Sequence, residues 1–465
     1  MKMKKLIISS ALIALMTACS QQTPVSHIIE VPVPERPAGQ TDMVAFAAPA
    51  MDSVRIGFIG LGMRGPGAVE RMLNIDGVSI KALCDIEPSR CEKVNEMIVN
   101  AGAPAADIYA GSDTAWRELI TRPDIDLVYV VTDWKNHAPI GVASMEAGKH
   151  VAIEVPAATS MEEIWDLINT SERTRKHCMM LENCVYDFFE MNTLNMAQAG
   201  VFGDVLHVEG SYIHNLSDFW DAYYNNWRLD FNAENRGDIY ATHGMGPACQ
   251  LLDIHRGDRM ETLVAMDTDP FTGPKLVEAR GGENPEKFAT GDHTMTMIRT
   301  ANGKTIQIQH DVVNPRPYSR MYQLTGTKGF ANKYGRQGYA LEPDSTTLSG
   351  MPDLYNLNAH SWLTPEQEAA LVETYTHPLI KEIGEVAKTV GGHGGMDYIM
   401  DYRLIYCLRN GLPLDMDVYD LAEWCCLGPL GALSIENGSA PVAVPDFTRG
   451  AWNKVNGFRH TMKAE

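Results

Sequence analysis

A glycine-rich loop is the first segment whose residue types and spacing point to a particular chemistry. The run Gly60-Leu61-Gly62-Met63-Arg64-Gly65 has the pattern G-x-G-x-x-G and lies between a β-rich run and an amphipathic stretch. Glycines with this spacing permit a tight turn and let the backbone approach a pyrophosphate, whose charge is stabilised by the amides of a helix N-terminus. The loop predicts a dinucleotide-binding site.

An acidic residue further along the chain indicates which dinucleotide is bound. Asp85 ends the second β-rich run, 20 residues after Gly65. A carboxylate at this place accepts hydrogen bonds from the ribose hydroxyls of the adenosine and repels a 2′-phosphate. The two features together favour NAD over NADP.

A polar segment after the third β-rich run is placed to reach the nicotinamide. Thr132-Asp133-Trp134-Lys135-Asn136-His137 follows that run. The carboxyl ends of parallel strands form the ligand crevice in sheets of this kind. An indole and an imidazole at this edge predict that Trp134 and His137 contact the cofactor.

The elements that must position these residues alternate between short β-rich runs and amphipathic stretches, which is typical of βαβ units on a parallel sheet. Strands are predicted at 54–59, 78–83, 127–131 and 151–155, with a helix through 69–73 and others near 90–100, 138–148 and 161–175. The N-terminal third is therefore predicted to be a Rossmann domain with a doubly wound parallel sheet.

The pattern changes after about residue 180. Longer strands are predicted at 205–213, 294–299, 304–309 and 321–325, and helices near 188–199, 243–254, 377–390 and 397–410. This alternation predicts a C-terminal α+β domain with an open, mainly antiparallel sheet. The fold class as a whole is α/β.

Composition and charge exclude some classes of partner. The chain has 465 residues, 45% of them hydrophobic, and a formal net charge of −20 at pH 7. Nucleic acids and anionic membrane surfaces require basic patches, so neither is an expected partner. The cysteines show no C-x-x-C pair, which argues against a structural metal site. A homo-oligomer stays open.

The chain begins with features of an exported protein. Lys2, Lys4 and Lys5 precede an apolar run, 6–16, that is too short to span a membrane as an ordinary helix. Thr17-Ala18-Cys19 resembles the bacterial lipoprotein signal, in which the cysteine is lipidated and becomes the mature N-terminus. We expect a lipid anchor on the periplasmic or cell-surface side of a bacterial membrane, with plain secretory cleavage as the alternative.

The leader sets the expected domain boundaries. Residues 1–19 are the predicted signal peptide, and the proline-rich span 20–52 is a predicted flexible tether. The Rossmann domain is placed at 53–180, the substrate domain at 181–450, and a C-terminal tail at 451–465.

The layout resembles the glucose-fructose oxidoreductase and inositol dehydrogenase superfamily at Glu154-Val155-Pro156-Ala157. Dehydrogenases of that superfamily typically carry Glu-Lys-Pro here, and their lysine serves hydride transfer. Val155 takes the place of this lysine and cannot move a proton. The departure disfavours a simple alcohol dehydrogenase.

A larger set of motifs resembles glycoside hydrolase family 109, the NAD-dependent α-N-acetylgalactosaminidases. The segments that carry this resemblance are Glu182-Asn183-Cys184-Val185-Tyr186, 203–208, Trp227-Arg228, 238–244, 253–257, 315–318, 391–398 and 414–420. They extend from the glycine loop to Pro445-Asp446-Phe447, so the resemblance covers nearly the whole chain after the leader.

The resemblance implies a hydrolysis that uses NAD instead of the usual two carboxylic acids. In that cycle C3 of the sugar is oxidised, the acidified C2 proton is removed, the aglycone is eliminated, water adds and C3 is reduced. His243 is the implied principal acid and base because imidazole titrates near neutral pH, and Tyr186 is the candidate for the C2 proton. Glycans that end in N-acetylgalactosamine are the implied partners.

Further residues have predicted roles, either from the motifs described above or from the same resemblance. Cofactor contacts are implied at Gly60, Leu61, Gly62, Met63, Arg64, Gly65, Asp85, Trp134, Lys135, Asn136, His137, Glu154, Val155 and Asn183. Substrate contacts are implied at Tyr212, Arg228, Tyr240, Ala241, Thr242, His243 and Tyr318. His393 lies in a glycine-rich loop expected to close near the site.

Three functions remain open at this point. They are the glycosidase, an NAD-dependent sugar dehydrogenase that releases reduced NAD, and a non-catalytic lipoprotein that binds glycans. Val155 weighs against the dehydrogenase, and the acid–base residues around His243 weigh against a silent binding protein.

Overall fold

The first of two domains is built on a parallel sheet. The structure is a computed structural model that describes residues 28–463. The strands of the first sheet are β1 (Val54–Ile59), β2 (Val78–Asp85), β3 (Asp107–Ala110), β4 (Leu127–Val130), β5 (His150–Ile153) and β6 (Cys178–Met180). The helices between them are α1 (Gly65–Met72), α2 (Pro88–Asn100), α3 (Trp116–Ile120), α4 (Trp134–Glu146) and α5 (Met161–Thr174).

The order of these strands places the ligand crevice. The six strands are all parallel and run in the order β3-β2-β1-β4-β5-β6. From β1 the chain builds β2 and β3 on one side and then crosses to β4 on the other side of β1. A crevice therefore opens outside the carboxyl ends of β1 and β4. The glycine loop follows β1, and the segment 132–137 follows β4. Both predicted cofactor segments therefore lie at this crevice.

The second domain adds a mixed sheet and a layer of helices. Its strands are β7 (Val205–Ile213), β8 (Met260–Asp267), β9 (Thr294–Thr300), β10 (Thr305–Asp311), β11 (Tyr322–Gly326), β12 (Gly329–Asn332), β13 (Gly338–Leu341) and β14 (Val442–Ala443). Its helices are α6 (Phe188–Gln198), α7 (Trp227–Glu234), α8 (Thr242–Leu251), α9 (Gly273–Ala279), α10 (Pro365–Tyr375), α11 (Pro378–Val390), α12 (Met396–Asn410), α13 (Val418–Cys425) and α14 (Leu427–Glu436). Short 3₁₀ turns occur at Cys184–Tyr186, Trp220–Ala222, Tyr224–Asn226, Pro285–Lys287, Leu354–Asn356 and His393–Gly395.

This second sheet is covered on one face. Its order is β13-β12-β11-β7-β10-β9-β8-β14, and all its pairs are antiparallel except β7 with β10. In β9 buried residues alternate with exposed ones: Thr294, Thr296 and Ile298 are buried, whereas Met295 and Met297 are exposed. A period of two is the mark of a strand with one face on the core. Helices α8 and α14 pack on the buried face.

Helix α12 ties the domains together, although it belongs to the second half of the chain. Its Asp401 accepts a hydrogen bond from Arg71 Nε at 2.7 Å and another from Tyr129 Oη at 2.8 Å. Arg71 lies on α1 and Tyr129 on β4, so the bond network crosses the domain boundary. All three side chains are buried. These buried hydrogen bonds hold α12 of the second domain against α1 and β4, the elements beside the crevice.

The predicted fold class is confirmed, with an N-terminal Rossmann sheet and a mainly antiparallel second sheet. Each predicted strand corresponds to an observed one, with shifts of a few residues at the ends. The sequence interpretation missed β3, β6, β8 and β12 to β14, together with several helices. Most of the missed strands have four residues or fewer.

The N-terminal segment differs from the prediction. The predicted signal peptide with Cys19 lies outside the described residues, as do 20–27. Residues 28–52 contain no helix or strand, but they are bound to the protein surface: Ile29 N–H donates to the Pro441 carbonyl at 2.8 Å, and Met43 is buried. The prediction of a flexible tether is therefore wrong for 28–52.

The predicted C-terminal tail is also packed. Phe458 is buried, and Arg403 Nη2 donates to the carbonyl of Thr461 at 2.7 Å. Residues 451–463 are therefore part of the folded second domain. No helix among residues 28–463 is long and apolar enough to cross a membrane.

A buried glutamate anchors the N-terminal segment. Glu172 on α5 accepts hydrogen bonds from Arg36 Nε at 3.0 Å, Arg449 Nη1 at 2.8 Å and Tyr419 Oη at 2.6 Å. Its side chain is fully buried. One carboxylate thus holds the N-terminal segment, α13 and the C-terminal residues together.

We predict that Glu172→Gln destabilises the protein by about 3–5 kcal/mol, because Arg36 and Arg449 lose the buried counter-charge that they share. The control is Glu146→Gln, which breaks the exposed pair of Glu146 with Arg173 and should cost at most about 1 kcal/mol. Denaturant unfolding measures both values, and limited proteolysis should detect release of 28–52 in the first variant alone. Equal effects of the two substitutions would contradict the anchoring role.

Candidate active site

The glycine loop leaves room for a phosphate group above its backbone. Gly60 has a φ of +96°, and a Cβ added there would lie 2.4 Å from the Val131 carbonyl oxygen. A Cβ on Gly65 would lie 2.3 Å from the carbonyl oxygen of Gly60. At Gly62, by contrast, the only atom within 4 Å is Arg90 Nη1, at 3.9 Å. Gly60 and Gly65 are therefore required because the backbone packs closely at both positions. At Gly62 the lack of a side chain keeps the space above the loop open.

Free amides face this space. Helix α1 begins at Gly65 without a side-chain cap and without an acidic residue in its first turn. Within residues 28–463, the N–H groups of Gly62, Met63 and Arg64 donate no hydrogen bond. Unpaired amides at a helix N-terminus bind anions well. The loop fits a pyrophosphate.

Asp85 fixes the base of the loop. Its Oδ2 accepts a hydrogen bond from the N–H of Leu61 at 2.6 Å, and its Oδ1 accepts one from the N–H of Glu87 at 2.9 Å. Arg90 Nη1 lies 3.3 Å from the same carboxylate. The Leu61 side chain is buried, so this residue serves the cofactor site through its backbone.

A cavity of about 470 Å³ extends from the glycine loop toward the second domain. One wall consists of the carboxyl ends of the parallel strands. The other wall is the segment 222–228 of the second domain. Among the residues that line the cavity are Gly60, Gly62, Met63, Arg64, Asp85, Trp134, Asn136, His137, Glu154, Val155, Tyr223, Tyr224, Trp227, Arg228 and Tyr240.

Trp134 joins the two walls. It begins α4, whose N-cap Asp133 accepts a hydrogen bond from the N–H of Asn136 at 3.1 Å. The Trp134 ring stacks on Tyr240 with 5.5 Å between ring centres, and the guanidinium of Arg228 lies 4.9 Å from the Trp134 ring. The side chain is therefore held in place where the cofactor cavity meets the second domain.

The residues present fit NAD. The loop amides suit the pyrophosphate, and Asp85 suits the adenosine ribose. Trp134 and Val155 give a flat, apolar lining at the far end of the same cavity, where a nicotinamide ring would lie.

His243 and Tyr212 do not line this cavity themselves, but both lie next to Tyr240, which does. His243 reaches this position because α8 comes very close to β7. An added Cβ on Gly210 would lie 2.7 Å from the Cα of Gly244, and one on Gly244 would lie 2.9 Å from the N of Ser211. The two glycines therefore allow the helix to touch the strand. This contact brings His243 to 5.4 Å from the Tyr212 ring and 5.1 Å from the Tyr240 ring.

A buried glutamate orients the imidazole of His243. Nδ1 of His243 lies 2.5 Å from Oε1 of Glu182, which also accepts the N–H groups of Cys184 and Val185 at 3.0 and 3.1 Å. Burial raises the pKa of Glu182 to about 7 and holds the pKa of His243 well below its usual value. With Glu182 ionised, Nδ1 carries the proton and Nε2 presents a lone pair.

Nε2 of His243 is the atom of this pair that can exchange a proton with a substrate. It has no hydrogen-bond partner among the described residues, and it is not among their fully enclosed polar atoms. The charges of Arg320, His393 and Arg64 add to burial in lowering the pKa of His243. A neutral histidine with a free Nε2 can accept a proton from a bound substrate and return it.

Two tyrosines beside His243 act as hydrogen-bond donors. Tyr212 Oη pairs with Nδ1 of His214 at 3.0 Å, and burial raises the pKa of Tyr212 and of Tyr240. Both phenols therefore stay protonated at neutral pH. Burial also lowers the pKa of His214 to about 4, so this imidazole is neutral and accepts the Tyr212 proton.

The glycine-rich loop 391–395 contributes a cluster on the other side of the cavity. Asp397 accepts Arg64 Nη2 at 3.1 Å and Asn183 Nδ2 at 2.5 Å, and Nδ1 of His393 lies 3.0 Å away. Burial opposes ionisation of Asp397, but His393 and Arg64 hold its pKa well below the usual range. The expectation that His393 lies near the site agrees with this position.

Not every predicted site residue lies in the cofactor cavity. Lys135 points outward and lies 3.5 Å from exposed Glu234, and Asn183 bonds to Asp397 instead of lining the cavity. Ala241 and Thr242 line a separate cavity of about 230 Å³. Tyr318 is 43% exposed, with its ring edge-on to His214 at 4.9 Å.

The position of Tyr186 disagrees with the role predicted for this residue. The sequence interpretation gave this residue the C2 proton, but the side chain is fully buried and its hydroxyl donates to Asp415 at 3.1 Å. Burial raises the pKa of Tyr186 well above its usual value, and Asp415 adds to this effect. A phenol that is enclosed and bound to a carboxylate cannot serve as a base for a substrate.

Three residues of the site were missed: Glu182, His214 and Arg320. One feature of the sequence could have identified Glu182 as a site residue: an acidic residue that follows a strand of a parallel sheet lies at the edge where ligands bind. The strand β6 before it was not predicted, so the signal was lost. Nothing in the local sequence distinguishes His214 or Arg320.

Within residues 28–463, two groups of side chains have ligand atoms close enough for a metal ion: Glu182-Cys184-His243 and His255-Asp417-Asp420. In the first, burial raises the pKa of the Cys184 thiol, so it stays protonated. In the second, Asp420 already forms two hydrogen bonds with Arg256 at 2.9 and 2.7 Å. We interpret both groups as hydrogen-bond networks.

Comparisons with known proteins agree with this geometry. Residues 54–182 match the family described as "Oxidoreductase family, NAD-binding Rossmann fold", and 186–454 match "Glycosyl hydrolase 109, C-terminal domain". "Glycosyl hydrolase family 109 protein 1" of Phocaeicola vulgatus is 66% identical over 93% of this chain and 92% of its own. The protein of that name from Bacteroides thetaiotaomicron is 60% identical over 99% of this chain and 100% of its own.

Solved structures show the same fold at low identity. Levoglucosan dehydrogenase in complex with NADH and levoglucosan is 20% identical, with a TM-score of 0.62, over 85% of this chain and 100% of its own. WlbA dehydrogenase of Bordetella pertussis, in complex with NADH and UDP-GlcNAcA, is 15% identical, with a TM-score of 0.57, over 86% of this chain and 99% of its own.

Fold and site together define an NAD-binding protein of the oxidoreductase type with an acid–base histidine beside the cofactor cavity. The site departs from that of a simple dehydrogenase, since Val155 of the Rossmann domain stands at the cavity wall. The chain belongs to glycosyl hydrolase family 109. It is a glycoside hydrolase that uses NAD.

We predict that Gly62→Ala weakens NAD binding at least tenfold without lowering the melting temperature of the cofactor-free protein. The added methyl group meets no protein atom closer than 3.9 Å, but it occupies the space of the pyrophosphate. Gly65→Ala is the comparison, because its Cβ would strike the Gly60 carbonyl oxygen and should lower both quantities. Titration calorimetry and thermal unfolding measure the two effects. Unchanged NAD affinity in Gly62→Ala would exclude this loop as the phosphate site.

Proposed function

We propose that this protein hydrolyses terminal α-N-acetylgalactosaminides in a redox-neutral cycle with resident NAD. Family membership and the NAD-binding domain support a glycosidase that uses the dinucleotide. The motif resemblance to α-N-acetylgalactosaminidases supports the sugar. The single observation that carries the proposal is the Glu182–His243 pair, set beside the cofactor cavity with Nε2 free.

Carboxylates near the site are already engaged. Glu154 lies 3.4 Å from Arg64 Nε and accepts the N–H of Val155 at 3.2 Å. Glu182 is taken by His243 and two backbone amides. An ordinary glycosidase needs one carboxylic acid as proton donor and one carboxylate as base or nucleophile. These two residues offer neither role, which favours a different route for bond cleavage.

Bound NAD supplies reversible oxidation of one sugar hydroxyl, and this oxidation acidifies the neighbouring C–H bond. His243 Nε2 accepts that proton, and Glu182 stabilises the imidazolium that forms. With the proton on Nε2, the same residue can later act as the acid. Tyr240 can hold the sugar by donating a hydrogen bond, and Tyr212 can accept one because its own proton goes to His214. Arg228 beside Tyr240 offers a further donor.

The second candidate is a sugar dehydrogenase that releases reduced NAD. The fold by itself is compatible with it, since the structural neighbours include dehydrogenases. Val155 favours the glycosidase, because it puts a buried apolar side chain at the cavity wall where the resemblance places a lysine in dehydrogenases. Without that ammonium group, one proton-transfer partner of a dehydrogenase is missing.

We expect the purified protein to release p-nitrophenol from p-nitrophenyl α-N-acetylgalactosaminide without added cofactor and without net build-up of absorbance at the wavelength of reduced NAD. His243→Asn should lower the rate by about 10²–10⁴, the usual range for loss of a general acid or base. Asn232→Asp, a buried change on α7 outside the cavity lining, controls for general damage to the second domain. Stoichiometric reduced NAD without p-nitrophenol would establish the dehydrogenase instead.

A further inference from the structure

Buried arginines in this protein fall into two groups. The arginines that are buried as whole residues among 28–463 are Arg71, Arg228, Arg256, Arg320 and Arg403. Three of them form ion pairs at 2.7 Å: Arg71 with Asp401, Arg256 with Asp420 and Arg403 with Asp415. Arg228 and Arg320 form no ion pair with any described carboxylate.

Arg228 is surrounded by aromatic rings. Its Nη1 donates to Tyr223 Oη at 2.6 Å, and its guanidinium lies within 5 Å of the Trp134 and Tyr240 rings. Electron-rich ring faces attract a cation and compensate part of its lost hydration. The resemblance already gives Arg228 a place at the sugar.

The lost hydration of the Arg320 cation is compensated less well than that of Arg228. Its Nη1 lies 3.4 Å from Asn183 Oδ1 and 3.2 Å from Cys184 Sγ, and the guanidinium is 5.7 Å from the Tyr318 ring. Its Nε has no access to solvent and no hydrogen-bond partner among the described residues. A buried cation that is bound only by an amide oxygen and a thiol carries a large desolvation cost. The protein therefore holds a positive charge here at the expense of stability.

The position of Arg320 connects this charge with the reaction. Ser319 N–H donates to the carbonyl of Ile213 at 2.9 Å, so the chain just before β11 is paired to the end of β7, the strand that carries Tyr212. Asn183 and Cys184, which contact Arg320, directly follow Glu182. Among the charged groups, Arg320 lowers the pKa of His243 most. The guanidinium thus contacts the residues that follow Glu182, while the backbone beside it is paired to the end of β7.

Removal of a proton beside a ketone leaves an electron pair that spreads onto the carbonyl oxygen, which becomes negative. Preorganised donors and cations aimed at such an oxygen lower the barrier most in a site closed to water. No described carboxylate pairs with the charge of Arg320, so an anion that forms during turnover can take this place.

We propose that Arg320 is the electrostatic residue that stabilises the enolate oxygen formed when the C2 proton moves to His243. The inference rests on the proposed function, because only that cycle creates an enolate. The C2–H bond breaks, its proton goes to Nε2 of His243 and its electron pair goes to the C3 oxygen. Arg320 exchanges no proton in this step.

The test compares Arg320→Gln, Arg320→Lys and the control Arg316→Gln. Arg316 lies four residues earlier, with a side chain that is 43% exposed and 3.9 Å from Asp311. Each variant is assayed for kcat and KM on p-nitrophenyl α-N-acetylgalactosaminide, for the kinetic isotope effect of a C2-deuterated substrate, and for the absorbance of reduced NAD after substrate is added. NAD content and melting temperature are recorded as structural readouts.

We expect Arg320→Gln to lower kcat by about 10²–10³ with KM within a few-fold, as for loss of one oxyanion donor. The isotope effect should rise and reduced NAD should accumulate during turnover, because the step after oxidation has become slower. Arg320→Lys should recover part of kcat, and Arg316→Gln should behave like the wild type.

Three outcomes would overturn the inference. A change in KM alone would make Arg320 a binding residue for a neutral or acidic group of the sugar. A loss of kcat with an unchanged isotope effect and no accumulation of reduced NAD would place its effect in another step. Wild-type protein that releases no p-nitrophenol, or that builds up reduced NAD in proportion to product, would overturn the proposed function, and this inference with it.

Discussion

The contact between Glu182 and His243 is the interaction on which the rest of the site depends. Glu182 follows the last strand of the Rossmann sheet, and His243 lies in the first turn of α8 in the second domain. The contact exists because Gly210 and Gly244 let helix and strand backbones touch. A single side chain at either glycine would push α8 away and break the pair. The acid–base function is therefore a consequence of backbone packing between two domains.

The charge pattern of the cavity follows from the same arrangement. Carboxylates near His243 are bound to arginines, amides or the imidazole itself, whereas Arg228 and Arg320 have no counter-charge in the part of the chain that the structure describes. Such a site favours electron-rich species and keeps the histidine neutral at rest. This distribution is poorly suited to a pair of catalytic carboxylic acids. It suits a reaction in which negative charge develops on the substrate. Bound NAD would allow this charge to form, because oxidation of a sugar hydroxyl acidifies the neighbouring C–H bond.

Sequence patterns predicted most of the fold because they report local physics. Strands such as β1 and β9 have regular burial patterns over six or seven residues, and the G-x-G-x-x-G loop has its backbone role wherever it follows a strand. Strands of three or four residues, such as β6 with Cys178–Met180, are too short to show a period. Residues 28–52 look extended and proline-rich, but their attachment depends on Glu172, which is more than 100 residues away.

The site was predictable where motifs fix position relative to a strand, as for Asp85 and Trp134. It was not predictable where two distant segments meet. Tyr186 was assigned to the substrate by resemblance, but a neighbour 229 positions away, Asp415, holds its hydroxyl in the core. Arg320 has no local signal, because an unpaired buried charge is recognised only when all its neighbours are known.

Solvent hydrogen at C2 of the product sugar reports most directly on proton transfer through His243. If turnover is run in D₂O and the released N-acetylgalactosamine is examined by NMR, a proton that reaches Nε2 beside the cavity exchanges with solvent before it returns. The redox-neutral cycle predicts deuterium at C2 of the product. Substrate that is recovered without having entered the site should keep its hydrogen at C2. Product that keeps its original C2 hydrogen throughout, with the glycosidic bond cleaved at the normal rate, would contradict the cycle.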